Sequence, residues 1–192
     1  MEGIKKTAYI VVFGALWGGM EMALGGFFHA LHIPLRGMWM AGIGALMLCS
    51  SQLWIGGRAT ALYVAVIAAF LKLFSLGGLV ISPAAAIIME GIIASMVFSL
   101  GKGNLAISLA ASVLITLYTI VHKFLSLAVV YRQEIAQIYD TFTGQGSVIV
   151  HLAGNSLLVF FLLYIILHII VGLIMGGTAY YSVYKARKRL SD

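Results

Sequence analysis

A single apolar run near the start of the chain determines the fold class. Residues 7–28 read TAYIVVFGALWGGMEMALGGFF, and Lys5 and Lys6 stand directly before them. The run is long enough to cross the hydrocarbon of a bilayer, which takes about 20 apolar residues. It contains the acidic Glu21 and lacks a convincing small-residue cleavage site. We therefore interpret it as a membrane helix and not as a signal peptide.

The whole chain shares this apolar character. Of its 192 residues, 62% are hydrophobic and 9% are charged, and its mean hydropathy is +1.06. A soluble domain of this length needs far more polar surface. The only cysteine, Cys49, lies in an apolar run, so no internal disulfide is possible and a packed thiol is expected. The composition predicts one all-α domain, residues 1–192, embedded in a membrane.

Hydropathy and turn signals divide the chain into about six transmembrane helices. Glycine-rich or proline-containing segments indicate turns, and Ser82-Pro83 is typical of a helix start. The sequence between residues 131 and 146 has apolar residues at helical spacing, which predicts a short helix on the membrane surface. The last helix is longer than a bilayer needs, so we expect it to tilt, bend or protrude. The predicted spans cover residues 7–23, 38–54, 59–74, 82–100, 105–130 and 148–184.

The positive charges predict the orientation. If the amino terminus is cytoplasmic and six helices cross, eight basic residues lie on the inner side and four on the outer side. Cytoplasmic loops carry the excess of Lys and Arg. We therefore expect a multi-pass protein of the cell membrane with both termini in the cytoplasm. The net charge of +6 reflects this placement and does not indicate nucleic-acid binding. The four outer residues are Arg36, Lys72, Lys123 and Arg132.

Glu21 and Glu90 are the most informative residues for function, because each lies inside an otherwise apolar helix. A charge at the centre of a bilayer costs at least about 2.5–3.5 kcal/mol, so such a residue faces the bundle interior and has a partner. One interpretation is structural: a pair with Lys72 or Lys123, or a protonated carboxyl that shares a hydrogen bond. The other is a ligand-binding or proton-binding site. The sequence leaves both open.

Further polar residues are predicted near the outer ends of the helices. The loop at residues 25–37 is polar enough to act as a lid over a site that opens outward, and Trp39 follows it as a stacking surface for a planar ligand. His151 and Asn155 are four residues apart and share a helix face. The alternative is that these residues lie at the membrane interface and that the lysines snorkel to it. The candidate substrate-binding residues are Glu21, His32, Arg36, Trp39, Lys72, Glu90, His122, Lys123, His151 and Asn155.

Two further patterns concern metals and packing. His29 and His32 have no obvious third ligand, so we expect no metal and no cofactor, and His168 is interpreted as a packing or interhelical residue. Small residues at i, i+4 spacing allow helices to approach closely in lipid. They occur at Gly172 and Gly176, where packing within the bundle is one interpretation and docking on another membrane subunit the other. The same alternatives apply to the candidate docking residues of helix 1, which are Gly14, Ala15, Gly18 and Gly19.

Catalytic and nucleotide-binding motifs are missing from the sequence. It contains no G-x-x-x-x-G-K-[ST], H-E-x-x-H or G-x-S-x-G pattern. The chain also has no room for an ATPase domain. If it moves a solute with ATP, the ATPase is on other chains, and we expect a binding subunit and not an enzyme.

The architecture resembles that of the substrate-binding S-components of energy-coupling factor (ECF) transporters. The shared features are the length, about six helices, the small-residue stripe on helix 1, the polar first outer loop and two inner termini. The resemblance implies capture of a vitamin or related micronutrient from outside, with the first outer loop as a lid and helices 4 to 6 as the pocket. It also implies that Ala15 and Gly19, or Gly14 and Gly18, dock on a membrane T-component that carries two ATPase subunits. The segment Met1-Glu2-Gly3 lacks the Met-His start of the nickel- and cobalt-binding relatives, which favours an organic ligand.

Two other classes remain open. One is a proton- or ion-coupled carrier that works alone, with Glu21 or Glu90 as the coupling site. The other is a membrane enzyme or assembly factor that acts on lipids or isoprenoids, which needs clustered carboxylates such as D-x-x-D. The sequence has six acidic residues, none of them at that spacing. The buried acids permit a cationic or hydrogen-bonding ligand, whereas Lys72 and Lys123 equally permit a carboxylate.

Overall fold

The chain forms a bundle of helices, as its apolar composition predicts. The structure is a computed structural model that describes residues 3–75, 81–101, 103–130 and 157–192, with isolated positions 132, 134 and 137. Within these residues, only short turns separate the helices. A π-helical segment, Ser126–Val130, continues the fifth helix. The helices are α1 (Gly3–Ala30), α2 (Arg36–Ile55), α3 (Thr60–Lys72), α4 (Ile81–Ser99), α5 (Leu105–Leu125) and α6 (Leu157–Ser191).

Five of the six helices are long and apolar enough to cross a membrane, which supports a multi-pass membrane protein. The exception is α3, whose 13 residues extend over about 20 Å, less than the roughly 30 Å of hydrocarbon. The all-α class is therefore confirmed, while a sixth crossing stays a prediction. The 35 residues of α6 extend over about 52 Å, so this helix exceeds the bilayer as predicted.

Helix α2 lies at the centre of the bundle and contacts each of the other five helices. On one side of it, α3 packs between α1 and α4, and on the other side α5 packs against α6. Small residues allow the close approach of α3, because Ala61, Ala65 and Ala68 are completely buried between the neighbouring helices. Cys49 of α2 is completely buried as well, and its thiol lies 3.7 Å from the Ser108 carbonyl oxygen of α5. The predicted packed thiol is thus confirmed.

Both chain ends lie at the same end of the bundle. The Arg187 guanidinium near the end of α6 donates to the carbonyl oxygens of Leu53 and Trp54, at 2.6 and 3.2 Å, at the end of α2. The ring of Tyr9 in the first turns of α1 meets that of Trp54, with 6.2 Å between centroids. This arrangement agrees with an even number of crossings. Assignment of this end to the cytoplasm stays a prediction.

The side chains of Gln52 and Thr60 hold the turn between α2 and α3, and the Thr60 hydroxyl donates to the Gly56 carbonyl oxygen. Gly56 and Gly57 have φ of 72° and 94°, a backbone region that favours glycine. The Gln52 amide donates to the Gly57 carbonyl oxygen, and its own oxygen accepts from the Ala61 backbone N–H at 2.9 Å. This confirms the tight turn predicted at residues 55–58.

The first outer loop is shorter than predicted. Residues 25–30 were expected in the loop, but they continue α1 to Ala30, and α2 begins at Arg36. Only residues 31–35 connect the two helices, and His32 and Leu35 there have φ of 52° and 56°. The loop was predicted to begin at Gly25 because paired glycines indicate a turn. Glycines within an apolar membrane helix do not end it, and Gly25 and Gly26 lie inside α1. The predicted surface helix at 131–146 and the start of the last span lie outside the described residues, apart from the isolated positions.

Candidate functional site

The buried end of α3 carries the first element of the candidate site. Lys72 is the last residue of α3, and its ammonium lies 3.4 Å from the Glu21 carboxylate of α1. The same ammonium donates a hydrogen bond of 2.8 Å to the backbone carbonyl oxygen of Glu21. Both residues are buried. The structural alternative proposed for Glu21 is therefore realised, with Lys72 as its partner.

A glycine gives Lys72 access to α1. Gly25 lies one helical turn after Glu21, and a Cβ atom added to it would stand 2.8 Å from the Lys72 nitrogen. A side chain at position 25 would therefore push the Lys72 ammonium away from its present place beside α1. The absence of a side chain at Gly25 thus leaves room for the Lys72 ammonium beside α1.

Glu90 forms the second element, at the centre of α4. The helix begins at Ile81 and ends at Ser99, so Glu90 lies at its midpoint, about 14 Å from either end. Glu90 is 5% exposed. No hydrogen bond or ion pair joins this carboxylate to another side chain in the part of the chain that the structure describes.

Gly44 and Trp17 complete the surroundings of Glu90. A Cβ atom at Gly44 of α2 would lie 2.7 Å from Glu90 Oε2 and 2.9 Å from Trp17 Cζ2, so the carboxylate and the indole ring converge on this glycine. Trp17 is completely buried, and its indole N–H lies beside the Glu21 carboxyl one turn further along α1 without a hydrogen bond of normal geometry. We define the buried polar cluster as the following five residues: Trp17, Glu21, Gly44, Lys72 and Glu90.

His122 is the centre of a separate hydrogen-bonded group near the opposite end of the bundle from the termini. Its Nε2 lies 3.2 Å from the hydroxyls of both Ser82 and Ser126, which are 2.6 Å apart. Its Nδ1 lies 3.1 Å from the hydroxyl of Tyr118, one turn earlier on α5. Tyr118 is also within electrostatic range of Glu90. This group thus lies between the end of the bundle and the buried polar cluster.

The remaining predicted substrate-binding residues are less closely grouped. Lys123 is half-buried and lies within electrostatic range of Arg36 at the start of α2. His32 and Arg36 are exposed, and Trp39 is 42% exposed. None of these three side chains belongs to the buried polar cluster. His151 and Asn155 lie outside the described residues.

His168 behaves as predicted for a packing residue. It is 1% exposed, and its Nδ1 lies 2.8 Å from the Tyr164 carbonyl oxygen one turn earlier on α6. The interhelical bond at this position uses the backbone, because the Thr116 hydroxyl of α5 donates to the His168 carbonyl oxygen at 2.8 Å.

The small residues of α1 divide between two faces. Gly14 and Gly18 face α3, where a Cβ atom would lie 2.7 Å from Ile67 Cβ and 2.9 Å from Leu71 Cβ respectively. Gly14 and Gly18 pack against α3 and are not available to a second protein. Of the four predicted docking residues, Ala15 and Gly19 remain as candidates. Ala15 is exposed, and a Cβ atom at Gly19 would meet nothing within 4 Å.

The glycines of α6 pack within the bundle. A Cβ atom at Gly172 would lie 2.7 Å from Val113 Cα, and one at Gly176 would lie 2.7 Å from the Ser108 carbonyl oxygen, both in α5. The Ser108 hydroxyl in turn donates to the Gly176 carbonyl oxygen at 2.8 Å. Packing is thus the interpretation that holds for this pair.

Several residues of the site were missed in the sequence. Trp17 precedes Glu21 by four residues, so helical spacing alone places both on one face of α1. Gly25 and Gly44 carry no such signal, because their role depends on which helix lies opposite. Ser82-Pro83 predicts only a helix start, whereas the Ser82 hydroxyl also meets His122 and Ser126.

The sequence and fold of the chain were compared with those of known proteins. No protein-family model, curated protein or solved structure matches the chain. Across the described ranges, no three His, Cys, Asp or Glu residues come together as metal ligands would.

Proposed function

We propose that the chain is the substrate-binding membrane subunit of an ECF-type uptake transporter. In this function it captures a vitamin or related small organic micronutrient from outside the cell. The observation that carries the proposal is Glu90: a carboxylate at the midpoint of a membrane helix, buried, with no hydrogen bond or ion pair to another described side chain. A charged group at this depth is costly, so it marks a binding or transport site unless a partner neutralises it.

The surroundings of Glu90 favour a binding site over a packing defect. Small residues and glycines fill the bundle closely elsewhere, as at Gly172 and Gly176, so the helices tolerate few voids. The Glu90 carboxyl group, buried beside the Trp17 ring, provides a polar group for a solute. Ligand pockets in proteins are mostly apolar and have a few such polar groups.

The hydrogen-bonded group around His122 supports entry from the end opposite the termini. Ser82, Tyr118 and Ser126 surround the imidazole, and they come from α4, α5 and the π-helical segment. Polar side chains at this end offer hydrogen bonds to a solute on its way to Glu90. The short loop 31–35 connects α1 and α2 at the same end, where a lid is proposed.

Docking on a T-component with two ATPase subunits is the second part of the proposal. The outward face of α1 has Ala15 and Gly19 one turn apart, with nothing packed over Gly19. Small residues on a lipid-facing surface permit a second membrane helix to approach closely. The ATPase chains would supply the energy for transport by hydrolysing ATP, since this chain has no nucleotide-binding motif.

A proton- or ion-coupled carrier is the competing function. It is favoured by Glu90 itself, a buried acid within a membrane helix that has no ion pair with another described side chain and could take up and release a proton. The two functions differ in their partners, because a carrier works alone. The membrane enzyme or assembly factor has no comparable observation in its favour.

The test is purification of the tagged protein from its native membrane in mild detergent. The proposal expects a stoichiometric membrane subunit and two ATPases in the preparation, together with a small molecule that mass spectrometry detects after denaturation. A protein that purifies alone and drives solute uptake in proteoliposomes without ATP would establish the carrier instead.

A further inference from the structure

A groove opens on the surface of the bundle between α5 and α6, at the end where α5 begins and α6 ends. Its volume is about 390 Å³. Apart from the Asn104 amide and the Tyr180 hydroxyl, the side chains of its walls are apolar. Such a surface suits a hydrocarbon chain that carries a polar group at one end. We call it the α5–α6 groove, and five residues line it: Asn104, Leu105, Ala106, Leu109 and Tyr180.

The groove lies close to the edge of the apolar part of the bundle. The sequence directly before α5, residues 101–104, reads GKGN and is polar. From the level of the groove, α6 continues to Ser191, about 16 Å beyond Tyr180. Tyr181 and Tyr184 follow the groove and are 61% and 59% exposed, and tyrosine is enriched where hydrocarbon meets lipid headgroups. The groove is therefore at the depth of the headgroups.

The part of α6 beyond the groove is strongly basic. Residues 185–189 read KARKR, with no acidic residue among them. Arg187 turns to α2, where it donates to two backbone carbonyl oxygens, whereas Lys185 and Arg189 are exposed. A cluster of basic residues directly beyond a transmembrane helix attracts anionic lipid headgroups, and each Lys or Arg adds to the attraction. The charge next to the groove is thus complementary to an anion.

We propose that the α5–α6 groove binds an anionic phospholipid. The glycerol and the first part of an acyl chain lie against Leu105, Ala106 and Leu109, and the phosphate faces the basic end of α6. Further along α6, Ile174 is 58% exposed, so this face of the bundle continues into the region of the acyl chains. A zwitterionic phospholipid fits the same groove but lacks the net charge, so the site selects by headgroup. The site is independent of the proposed function, because the groove and His122 lie at opposite ends of the bundle.

The test compares two phospholipids that have the same acyl chains and differ in headgroup charge. The purified protein in mild detergent is titrated with dioleoyl phosphatidylglycerol, an anion, and with dioleoyl phosphatidylcholine, a zwitterion. Thermal stability and native mass spectrometry are the readouts. We expect the anionic lipid to raise the melting temperature and to bind roughly tenfold more tightly than the zwitterionic one. This preference should fall as the salt concentration rises, because salt screens exposed charges.

Substitutions separate the groove from the charges. Ala106→Leu fills the groove and should lose the bound phosphatidylglycerol, while Ala110→Leu, one turn further along α5 and outside the groove, should keep it. Both alanines are exposed, so neither exchange strains the core. Lys185→Gln with Arg189→Gln should remove most of the preference for the anionic lipid.

Equal binding of the two lipids, or binding of neither, overturns the proposal. Normal lipid binding in Ala106→Leu would mean that the basic end of α6 alone holds lipid and that the groove is not the site. If Ala106→Leu loses a co-purified protein while lipid binding is unchanged, the groove is a protein contact and the proposal is wrong. If Ala106→Leu does not fold, Tyr180→Ala removes one wall of the groove, and unaltered lipid binding in that variant contradicts the site.

Discussion

The ammonium of Lys72 lies 2.8 Å from the backbone carbonyl oxygen of Glu21 and 3.4 Å from its carboxylate. The two residues are 51 positions apart in sequence, and their contact joins the end of α3 to α1 inside the apolar bundle. This polar contact lies at the last residue of α3, a helix too short to span the hydrocarbon by itself. It also removes one positive and one negative charge from the electrostatics that a solute meets.

The ion pair should be more sensitive to the loss of one partner than to the loss of both. Lys72→Met leaves Glu21 near Glu90 without its cation, and we expect it to destabilise the protein by about 3–5 kcal/mol. The double variant Glu21→Gln with Lys72→Met removes both charges and should recover most of this loss. Thermal unfolding in detergent measures Lys72→Met, Glu21→Gln and the double variant against the wild type.

The matched control for this cycle is Lys188→Met, which removes an exposed lysine at the end of α6. It should change the melting temperature little, as surface substitutions do. A double variant that loses as much stability as the two single variants together would show that the side chains act independently, and the ion pair would lose its structural role.

Gly44 should tolerate no side chain, because the Glu90 carboxylate and the Trp17 ring occupy the space beside it. In Gly44→Ala the new methyl group would stand 2.7 Å from Glu90 Oε2 and 2.9 Å from Trp17 Cζ2. We expect a loss of about 1–3 kcal/mol of stability from overpacking. Binding of the solute should weaken by roughly tenfold, which corresponds to about 1.4 kcal/mol.

Gly37→Ala is the control for Gly44→Ala, since Gly37 lies on the same helix and a methyl group there meets nothing within 4 Å. It should bind and unfold like the wild type. Normal affinity of Gly44→Ala for the solute released from the native preparation would separate Glu90 from the binding site.

The two faces of α1 should respond oppositely to a large side chain. Gly19→Leu points into open space, so the fold and solute binding should survive while co-purification with a membrane partner is lost. Gly14→Leu points at Ile67 and the Val64 carbonyl oxygen, 2.7 and 3.0 Å from the first added atom, and should unfold the bundle. Size-exclusion chromatography and the subunit composition distinguish these effects. An intact complex in Gly19→Leu would show that docking uses another surface.

The sequence predicts the helices well because their cause is local. An apolar run of sufficient length must become a helix in lipid to satisfy its backbone hydrogen bonds, and this holds for residues 7–28 whatever surrounds them. Ends that depend on turn chemistry are also predictable, as at Gly56, Gly57 and Asn104. The Asn104 side chain accepts from the Ile107 backbone N–H at 2.9 Å and caps α5.

The candidate site was only partly predictable because it depends on which helices meet. The charge patterns identified Glu21, Glu90 and Lys72, but both lysines remained possible partners until α3 was placed against α1. Gly14 and Ala15 are neighbours in sequence, but Gly14 faces α3 and Ala15 faces outward. The spacing of small residues does not specify which side of the helix faces the bundle. Gly44 became part of the site only when α2 was seen at the centre.

The orientation in the membrane can be tested with cysteines on a Cys49→Ala background. Cys49 is completely buried in α2, so a small apolar replacement should preserve the fold. Cysteines at Lys6 and Lys188 should both react with an impermeant thiol reagent only when it reaches the cytoplasmic side, because both ends lie together and the positive charges favour that side. Reaction of both from outside would invert the topology, and reaction from opposite sides would contradict the contact of Arg187 with the end of α2.

The packing of α6 on α5 offers the sharpest pair of single substitutions. A methyl group at Gly176 would lie 2.7 Å from the Ser108 carbonyl oxygen and 3.0 Å from Leu109 Cα, atoms of the backbone that do not yield as a side chain does. At the adjacent Gly177 the nearest atom is Leu109 Cδ2 at 3.9 Å, an ordinary contact.

We therefore expect Gly176→Ala to lower stability by about 1–3 kcal/mol, as overpacking in a core does. Gly177→Ala should be neutral or stabilise by up to about 1 kcal/mol, since alanine is the better helix former. Thermal unfolding of both variants in the same detergent measures the difference. The intrinsic effect of replacing glycine by alanine in a helix is the same at the two positions, so the difference between them isolates the contact with α5. Equal stability of the two variants would mean that α6 does not rest against α5 at Gly176.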